Sequence, residues 1–592
     1  MLKYILVLLA GTTASLTALC QDSFKKNTDR EWILRSNSYT QKIIEVDEKY
    51  NPVFGSQQGV AYFDTLISIP TLANELSERK DKEAVLSGFK TARESEKSLP
   101  VRQDLDILIY HTELDFRQED YTRNKEVTYY NPSAEVYDGV KVLLDDQTPE
   151  NRRAAAVQRL RKYAGVQNGY APLADILKAR TTQQMSKANM VFPSKQEMEI
   201  ALSRNASLVN GMADLYSKYK ITGWEEPYRL LKKQLEDYDT WIKSTLLPKG
   251  RTDYRLAPEQ YMLNLESYGI DIPPAQISRM AHDSFTSIQE KMKPIAERLA
   301  KKYHLSSTDY RDVIRFLKKD QLIGDTIMKV YLAHLADIEA IIRKNRIVSL
   351  PDRAAIIKLS TAAEAARQPA PHMVPPPFLN NTGQRGVFVL PLTMPTAPGE
   401  KEDRYDDFTF DAASWTIIAH EVRPGHEMQF DKMVEEGVSQ ARALYAFNST
   451  NVEGWGLYSE YLILPYMPEE GQLVSLDYRL LRSARAFLDP ELQAGTITPQ
   501  QALDLLMKDV VSSHAFAQQE VERYTVRAPG QANSYFYGYT KMIGLRKDTE
   551  KTMAGQFDQL RFHDFILAQG ILPPALIRQA VMTELVGGKK QP

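Results

Sequence analysis

The stretch from Thr416 to Gln429 contains the residues of this chain best suited to metal chemistry. Glu421 follows His420 directly, and His426 comes six positions after His420. His420 and His426 are two of the nine histidines in the chain. A neutral imidazole is a common zinc ligand, and a neighbouring carboxylate can take a proton from a water that the metal makes acidic. The residue types therefore predict the site of a zinc hydrolase.

The spacing of the two histidines requires a break in the helix that carries them. Histidines four positions apart lie about 40° apart around a helix and can share one ion, whereas a six-residue spacing puts them roughly 120° apart. Pro424 cannot donate to the carbonyl of His420, and Gly425 tolerates unusual dihedral angles, so we expect this pair to restore convergence. The alternative is a helix that ends at His420 or Glu421, followed by a turn that only carries a second histidine.

A second stretch, from Asn451 to Glu460, offers the third ligand that a catalytic zinc ion needs. Glu453 is the candidate ligand, and Glu460, two turns later on the same face, is placed to hydrogen-bond a ligand histidine. The alternative is that both are solvated helix charges. Gly454 and Gly456 argue against it, because glycines weaken a helix and usually indicate close approach by another group.

A third stretch, from Glu522 to Gly538, contains tyrosines that could stabilise the oxyanion of an acyl-transfer reaction. A phenol hydroxyl directed at that oxygen lowers the energy of the transition state. Tyr535 or Tyr537 could supply it, and the alternative for either is an aromatic side chain that only packs.

These stretches and a fourth near the chain end resemble, in the same order, the bacterial domain-of-unknown-function family 885. The matching motifs are His420-Glu421-x-x-Pro424-Gly425-His426-x-x-Gln429, Glu453-Gly454-Trp455-x-x-Tyr458-x-Glu460, Arg523-Tyr524 with Pro529-Gly530-Gln531-Ala532-x-x-Tyr535-x-x-Gly538, and Phe562-His563-Asp564-x-x-Leu567-x-x-Gly570-x-Leu572-Pro573. That family is placed among gluzincin-type metallopeptidases, near the angiotensin-converting-enzyme, oligopeptidase and carboxypeptidase Taq groups.

The resemblance implies a mainly α, large two-lobed zincin-like metallopeptidase with a deep central channel. By position, His420, His426 and Glu453 would hold one Zn²⁺ per chain, Glu421 would activate water, and Tyr535 would be the favoured oxyanion donor. It does not name a substrate.

The first residues of the chain have the pattern of an export signal. Lys3 precedes the apolar run Tyr4 to Ala10 and a region of small residues, which is typical of a signal peptide over 1–20 and too short for a membrane span. Cys20 is the only cysteine, so an internal disulfide is excluded. We expect a periplasmic or secreted protein; the alternative is a lipid anchor at Cys20, which Leu19 disfavours because lipoprotein signals place a small residue there.

Composition limits the classes of partner. The chain has 592 residues, a formal charge of −2, and 43% hydrophobic and 25% charged residues. These values are ordinary for a soluble globular protein and lack the basic character of a nucleic-acid-binding domain. Oligomeric state is left open.

The segment 21–370 is predicted to form a mostly helical N-terminal lobe, and 371–592 a catalytic lobe. Ile277, Ala281, Ile288 and Leu299 belong to one apolar stripe of a long helix that follows Pro273. Helices are also predicted from Leu473 to Leu488 and from Pro499 to Met507.

Residues 371–400 change character. Four prolines mark a loop, and Gly386 to Leu392 is predicted to form a strand that Pro391 confines to a sheet edge. Such an edge beside the metal could pair with an extended substrate, and the alternative is a hairpin that closes the core.

Three more residues are weaker candidates for the site. His514 could line the channel or be a buried structural histidine, and His563 could brace the site. Arg546 could bind a substrate carboxylate with two hydrogen bonds.

The hypothesis is thus an exported zinc peptidase in which Glu421 is the general base and Tyr535 assists zinc in holding the oxyanion. Two alternatives are a zinc hydrolase of non-peptide amides or esters and a helical binding protein with a vestigial metal site. Exopeptidase and endopeptidase action both stay open.

Overall fold

A computed structural model describes residues 31–394 and 403–587 of the chain. The predicted signal peptide and Cys20 lie outside the described residues. Helices dominate, as predicted, and the strands are few and short. Among the described residues, no helix combines the length and apolar character needed to cross a bilayer.

Residues 31–344 form helices joined by short connections. The predicted long helix is α12, in which Ile277, Ala281, Ile288 and Leu299 are buried and which continues through Pro294. The helices are α1 Glu31–Tyr50, α2 Pro52–Gln57, α3 Leu72–Ser95, α4 Leu99–Lys125, α5 Pro132–Lys141, α6 Glu150–Arg153, α7 Ala155–Tyr163, α8 Leu173–Met185, α9 Lys195–Lys218, α10 Glu225–Trp241, α11 Pro258–Ser267, α12 Pro274–Lys302, α13 Tyr310–Leu317 and α14 Asp325–Lys344.

The strands and the remaining helices follow. The strands are β1 Ile356–Leu359, β2 His372–Val374, β3 Val387–Leu390, β4 Thr393–Met394 and β5 Asp403–Arg404. The helices are α15 Ala362–Arg367, α16 Asp411–Glu421, α17 His426–Glu436, α18 Ser449–Ile463, α19 Glu469–Ala494, α20 Pro499–Lys508, α21 His514–Glu522, α22 Asn533–Met553, α23 Gln559–Leu567 and α24 Pro574–Ala580. Helices α19 and α20 confirm the two helices predicted after the motifs.

The small sheet corrects the prediction of an edge strand at 386–392. Strand β3 is the centre of a three-stranded sheet, parallel to β1 and antiparallel to β2. All four β3 residues are buried. Pro391 follows the last paired residue, so its missing N–H interrupts no ladder bond. The strands with a free edge are β1 and β2.

The largest apolar core combines residues from both sides of position 370. It joins Ile277 of α12 and Tyr331 of α14 to Ile418 of α16, Trp455 of α18 and Leu481 of α19. A second core is formed mainly by α5 to α10. Helices α16, α18, α19 and α22 are thus fixed against one another around the motif residues.

Glycines allow α18 and α22 to pack closely. A Cβ on Gly538 would lie 2.0 Å from the carbonyl oxygen of Thr450 and 2.7 Å from Cα of Gly454. Only a hydrogen fits there, so these glycines set the distance between two helices that carry motif residues.

We expect Gly538→Ala to lower the free energy of unfolding by roughly 1–3 kcal/mol, because the new methyl group meets backbone atoms that can move only with their helices. Gly544→Ala is the matched control on the same helix, since its Cβ would meet no atom of the described residues within 4 Å. That variant should gain up to about 1 kcal/mol from helix propensity. Urea denaturation measures both; equal stability of the two variants would contradict the close-packing argument.

Candidate metal centre

The helix is interrupted between the two motif histidines. Helix α16 ends at Glu421, α17 begins at His426, and the Arg423–Pro424 peptide bond in the connection is cis. A Cβ on Gly425 would lie 1.8 Å from the carbonyl oxygen of His420. The predicted break at Pro-Gly is confirmed: one helix ends before it, and a tight connection leads to the next. Gly425 is required there because the backbone passes so close to His420.

The break turns both imidazoles toward one point. The rings of His420 and His426 have centroids 4.6 Å apart and are nearly perpendicular, at 81°. Glu453 on α18 places Oε2 at 3.4 Å from Nε2 of His420 and at 3.4 Å from Nε2 of His426. We call these three residues the His–Glu cluster.

The distances within the cluster match those between ligands of a zinc ion. Donor atoms 2.0–2.2 Å from zinc at the corners of a tetrahedron lie roughly 3.3–3.6 Å apart. Atom Oε2 of Glu453 and atom Nδ1 of His426 are buried without a hydrogen-bond partner in the described part of the chain. Buried polar atoms are rarely left unpaired, so the unpaired carboxylate oxygen favours a bound cation.

Glu421 belongs to the same group, since one ligand atom each of His420, Glu421 and His426 lie within 4.8 Å of one another. The position of a single oxygen of Glu453 near both imidazoles favours Glu453 over Glu421 as the candidate third ligand. Burial raises the pKa of Glu421 to about 7. Burial also opposes ionisation of Glu453, but the two imidazoles outweigh it and hold the pKa of Glu453 well below its ordinary value.

Groups behind His420 fix its orientation. Its Nδ1–H donates to Oε1 of Glu460 at 2.8 Å, the contact predicted from the sequence. This bond leaves Nε2 free to face Glu453 and makes the imidazole a stronger ligand. A Cβ on Gly456 would lie 2.6 Å from Cε1 of His420. Gly456 is thus needed to leave room for the imidazole ring of His420, which explains the glycine in this helix.

Tyr535 lies beside the cluster. Its ring is stacked on that of His420, at 6.2 Å and 16°. Nη1 of Arg523 donates to the Tyr535 hydroxyl oxygen at 3.2 Å. The hydroxyl hydrogen therefore remains available to a further acceptor. Burial, and next the charge of Glu453, raise the pKa of Tyr535, so it stays protonated.

The other candidates are placed differently. Tyr537, about 200° from Tyr535 around α22, donates to Asp271 away from the cluster. His514 is exposed at the start of α21, so it is not the buried structural histidine considered as its alternative, and its place in a channel stays a prediction. Nη1 of Arg546 donates to the Tyr458 hydroxyl at 3.0 Å and Nε donates to Glu550 at 2.7 Å, which leaves it engaged within the protein.

His563 is buried and supports α18. Its Nδ1–H donates to the carbonyl of Ile347 at 2.6 Å, and its Nε2 accepts from the Tyr458 hydroxyl at 2.8 Å. Burial lowers the pKa of His563 to about 3, so it stays neutral. Nε1–H of the neighbouring Trp455 donates to the carbonyl of Pro424 at 2.8 Å and ties α18 to the connection between the histidines. This arrangement agrees with the bracing role expected for His563.

Sequence reasoning gave no role to three arginines near the cluster, Arg482 and Arg485 of α19 and Arg523 beyond α21. Arg479, Arg482 and Arg485 are spaced by three within an apolar helix. That spacing could have indicated their importance in the sequence, because charged residues on a buried helix face need partners.

A cavity of about 1540 Å³ lies elsewhere. It is lined by Tyr110, Tyr268, Phe447 and Tyr537 among others, and no member of the His–Glu cluster belongs to the described residues that line it. On α22 its lining residues, among them Tyr537 and Gly544, lie roughly opposite to Tyr535 around the helix.

Comparisons with known proteins concern the family and the fold. The family model for the bacterial protein of unknown function DUF885 matches residues 52–581. A solved structure described as "a putative lipoprotein of unknown function from Shewanella oneidensis" is 18% identical, with a TM-score of 0.67 over 92% of this chain and 99% of that chain. Another, described as "the putative lipoprotein from Colwellia psychrerythraea", is 17% identical, with a TM-score of 0.70 over 94% and 98%. A comparison with curated proteins finds no match.

We expect Glu460→Gln to weaken zinc binding about 10–100-fold, because His420 loses the carboxylate that orients it. His420→Ala and Glu453→Ala should lose the metal altogether. Competition against a chromophoric chelator and elemental analysis measure both effects. Glu550→Gln, a change of the same type at a carboxylate that pairs with Arg546, is the control. Zinc affinity in Glu453→Ala equal to that of the control would remove Glu453 from the ligand set.

Proposed function

We propose that this chain, which belongs to the bacterial DUF885 family, is a zinc-dependent peptidase. The observation that carries the proposal is one oxygen of Glu453 at 3.4 Å from Nε2 of both His420 and His426, with Glu421 next in sequence to the first of them. Two imidazoles and a carboxylate form a donor set that suits zinc. Bound there, zinc would polarise a carbonyl group and increase the acidity of water.

Glu421 is the proposed general base. Its carboxylate would accept the proton of the water that attacks the peptide carbonyl, and the resulting carboxylic acid would give that proton to the leaving amine. Atom Oε2 of Glu421 is buried without a hydrogen-bond partner among the residues described, so it is free for this exchange.

Tyr535 is the proposed oxyanion donor. The bond that its oxygen accepts from Arg523 directs the hydroxyl hydrogen away from that guanidinium. A phenol held in this way can donate to the oxygen that becomes negative when the carbonyl is attacked.

Export is part of the proposal. The signal-like segment 1–20 supports it, and so do the two similar structures, each described as a "putative lipoprotein". Peptides outside the cytoplasm would then be the substrates. A lipid anchor at Cys20 is the alternative to a free periplasmic or secreted protein.

We expect Glu421→Gln to keep zinc but to lose nearly all turnover, because the amide cannot accept the proton from water. Defined peptides incubated with and without chelator, with fragments identified by mass spectrometry, measure turnover, and elemental analysis measures zinc. A matched set of amide and ester substrates separates a peptidase from a hydrolase of non-peptide bonds. Rates in Glu421→Gln similar to wild type would disprove the assignment.

Tyr535→Phe should lower kcat by roughly 10²–10³-fold with little change in KM or zinc content, as expected for loss of one oxyanion donor. Tyr537→Phe is the matched control, since its hydroxyl bonds Asp271 on the opposite face of α22. A higher KM with unchanged kcat in Tyr535→Phe would contradict a role for Tyr535 in the transition state. Equal effects of the two substitutions on kcat would contradict it as well.

A further inference from the structure

A small basic cavity adjoins the His–Glu cluster. It has a volume of about 40 Å³ and is lined by His420, Glu421, Tyr535, Arg482, Arg485 and Arg523, together with apolar residues and Tyr478. Three guanidinium groups and one carboxylate thus border it. Glu520 and Glu460 pair with these guanidinium groups from outside the cavity, so an anion is favoured there only by a guanidinium donor that these carboxylates leave unpaired.

Two of the arginines have their donors engaged within the protein. Nε and Nη2 of Arg485 donate to the two oxygens of Glu520 at 2.6 and 2.8 Å. Arg523 donates to Tyr535 and to Gln531 through Nη1, and its Nη2 lies 3.3 Å from Glu520. These two side chains supply charge but have few free donors.

Arg482 is different. Its side chain is 8% exposed, and its Nη2 lies 3.4 Å from Oε1 of Glu460. Nη1 donates to the carbonyl of Tyr478 at 3.2 Å. Nε is buried and finds no acceptor among the described residues. A buried guanidinium N–H without an acceptor is unfavourable, so Arg482 is the donor that a bound anion would satisfy.

The size of the cavity selects the anion. A volume of about 40 Å³ corresponds to roughly three water molecules, and a carboxylate group has three heavy atoms. A carboxylate fits there, whereas a peptide that continued past this point would not. The planar guanidinium also matches the geometry of a carboxylate.

We propose that Arg482 binds the free C-terminal carboxylate of the substrate in this cavity, so that the enzyme cleaves peptides near their C-terminal end. This inference rests on the proposed peptidase function. The carboxylate would lie on the Arg482 side of the cavity, and the scissile carbonyl would lie outside the cavity, where Glu421 and Tyr535 can reach it. An aspartate or glutamate side chain of the substrate is the other source of the same group.

The test compares three forms of one peptide without other acidic residues: the free acid, the C-terminal amide, and the amide with an aspartate as its last residue. The wild-type enzyme should cleave the free acid roughly 100-fold more efficiently, in kcat/KM, than the plain amide. Arg482→Gln should abolish this preference, mainly through KM. Arg479→Gln is the matched control, a buried arginine of the same helix that stacks on Tyr539 at 5.2 Å, and should keep the preference.

Other outcomes contradict the inference. Chelator-sensitive cleavage of free acid and plain amide at equal rates would overturn it and leave the proposed function intact. Equal cleavage of the free acid and the aspartyl amide would assign the cavity to side-chain carboxylates and overturn C-terminal recognition. If Arg482→Gln loses zinc but keeps the preference for the free acid over the amide, Arg482 supports Glu460 and does not bind the carboxylate.

Binding measured without turnover separates the two proposals. Calorimetry with zinc-loaded Glu421→Gln should give tighter binding of the free acid than of the amide, and the double variant Glu421→Gln/Arg482→Gln should bind both alike. If this difference is present but no peptide is cleaved by the wild type, the carboxylate site stands and the peptidase proposal fails. Equal binding of both peptides by Glu421→Gln overturns the carboxylate site.

Discussion

The approach of one Glu453 oxygen to two imidazoles is the constraint on which the rest of the site depends. It requires α16, α17 and α18 to meet within a few ångströms, although His420 and His426 belong to different helices. Gly425 lets the chain turn against the end of α16, and Gly456 leaves room for the imidazole of His420. Any side chain at either position would separate the donors. The site is therefore fixed by backbone proximity as much as by its polar residues.

The surroundings move the pKa values of the carboxylates near this point in opposite directions. Burial favours the neutral acid in each case, but Arg482 and His420 keep the pKa of Glu460 below its ordinary value. Glu421 has no hydrogen-bonded cation of this kind among the described residues, and burial raises its pKa to about 7. Neighbouring acids whose pKa values are moved in opposite directions are typical of sites that both bind charge and transfer protons. Glu460 can then orient a ligand while Glu421 remains exchangeable.

The sequence predicted the residues of the cluster because their spacing is local. Pro424-Gly425 indicated the break, Gly454 and Gly456 indicated close contacts, and Glu460 followed from helical periodicity. What failed depended on partners far along the chain. Pro391 suggested an edge strand, but the pairing of β3 on both sides is decided by β1 and β2. The buried structural role considered for His514 does not fit its exposed position. The choice between Tyr535 and Tyr537 depends on which face of α22 is directed toward α16. A role for the arginines of α19 could be inferred only from the position of that helix beside Glu421 in the structure.

The number of donors in the proposed site bears on the choice between catalysis and simple metal retention. A structural zinc site is normally closed by four protein ligands, whereas a catalytic site has three and leaves one position for water or substrate. In the proposed site His420, His426 and Glu453 would provide three donors, and Glu421, which lies in the same group, would not be needed to hold the ion. A protein that only retained a metal would gain nothing from burying an extra carboxylate whose Oε2 lacks a partner in the described residues, since that burial is unfavourable. A carboxylate that exchanges a proton there, as proposed for Glu421, would account for this burial, which supports the proposed hydrolase over the binding protein with a vestigial site.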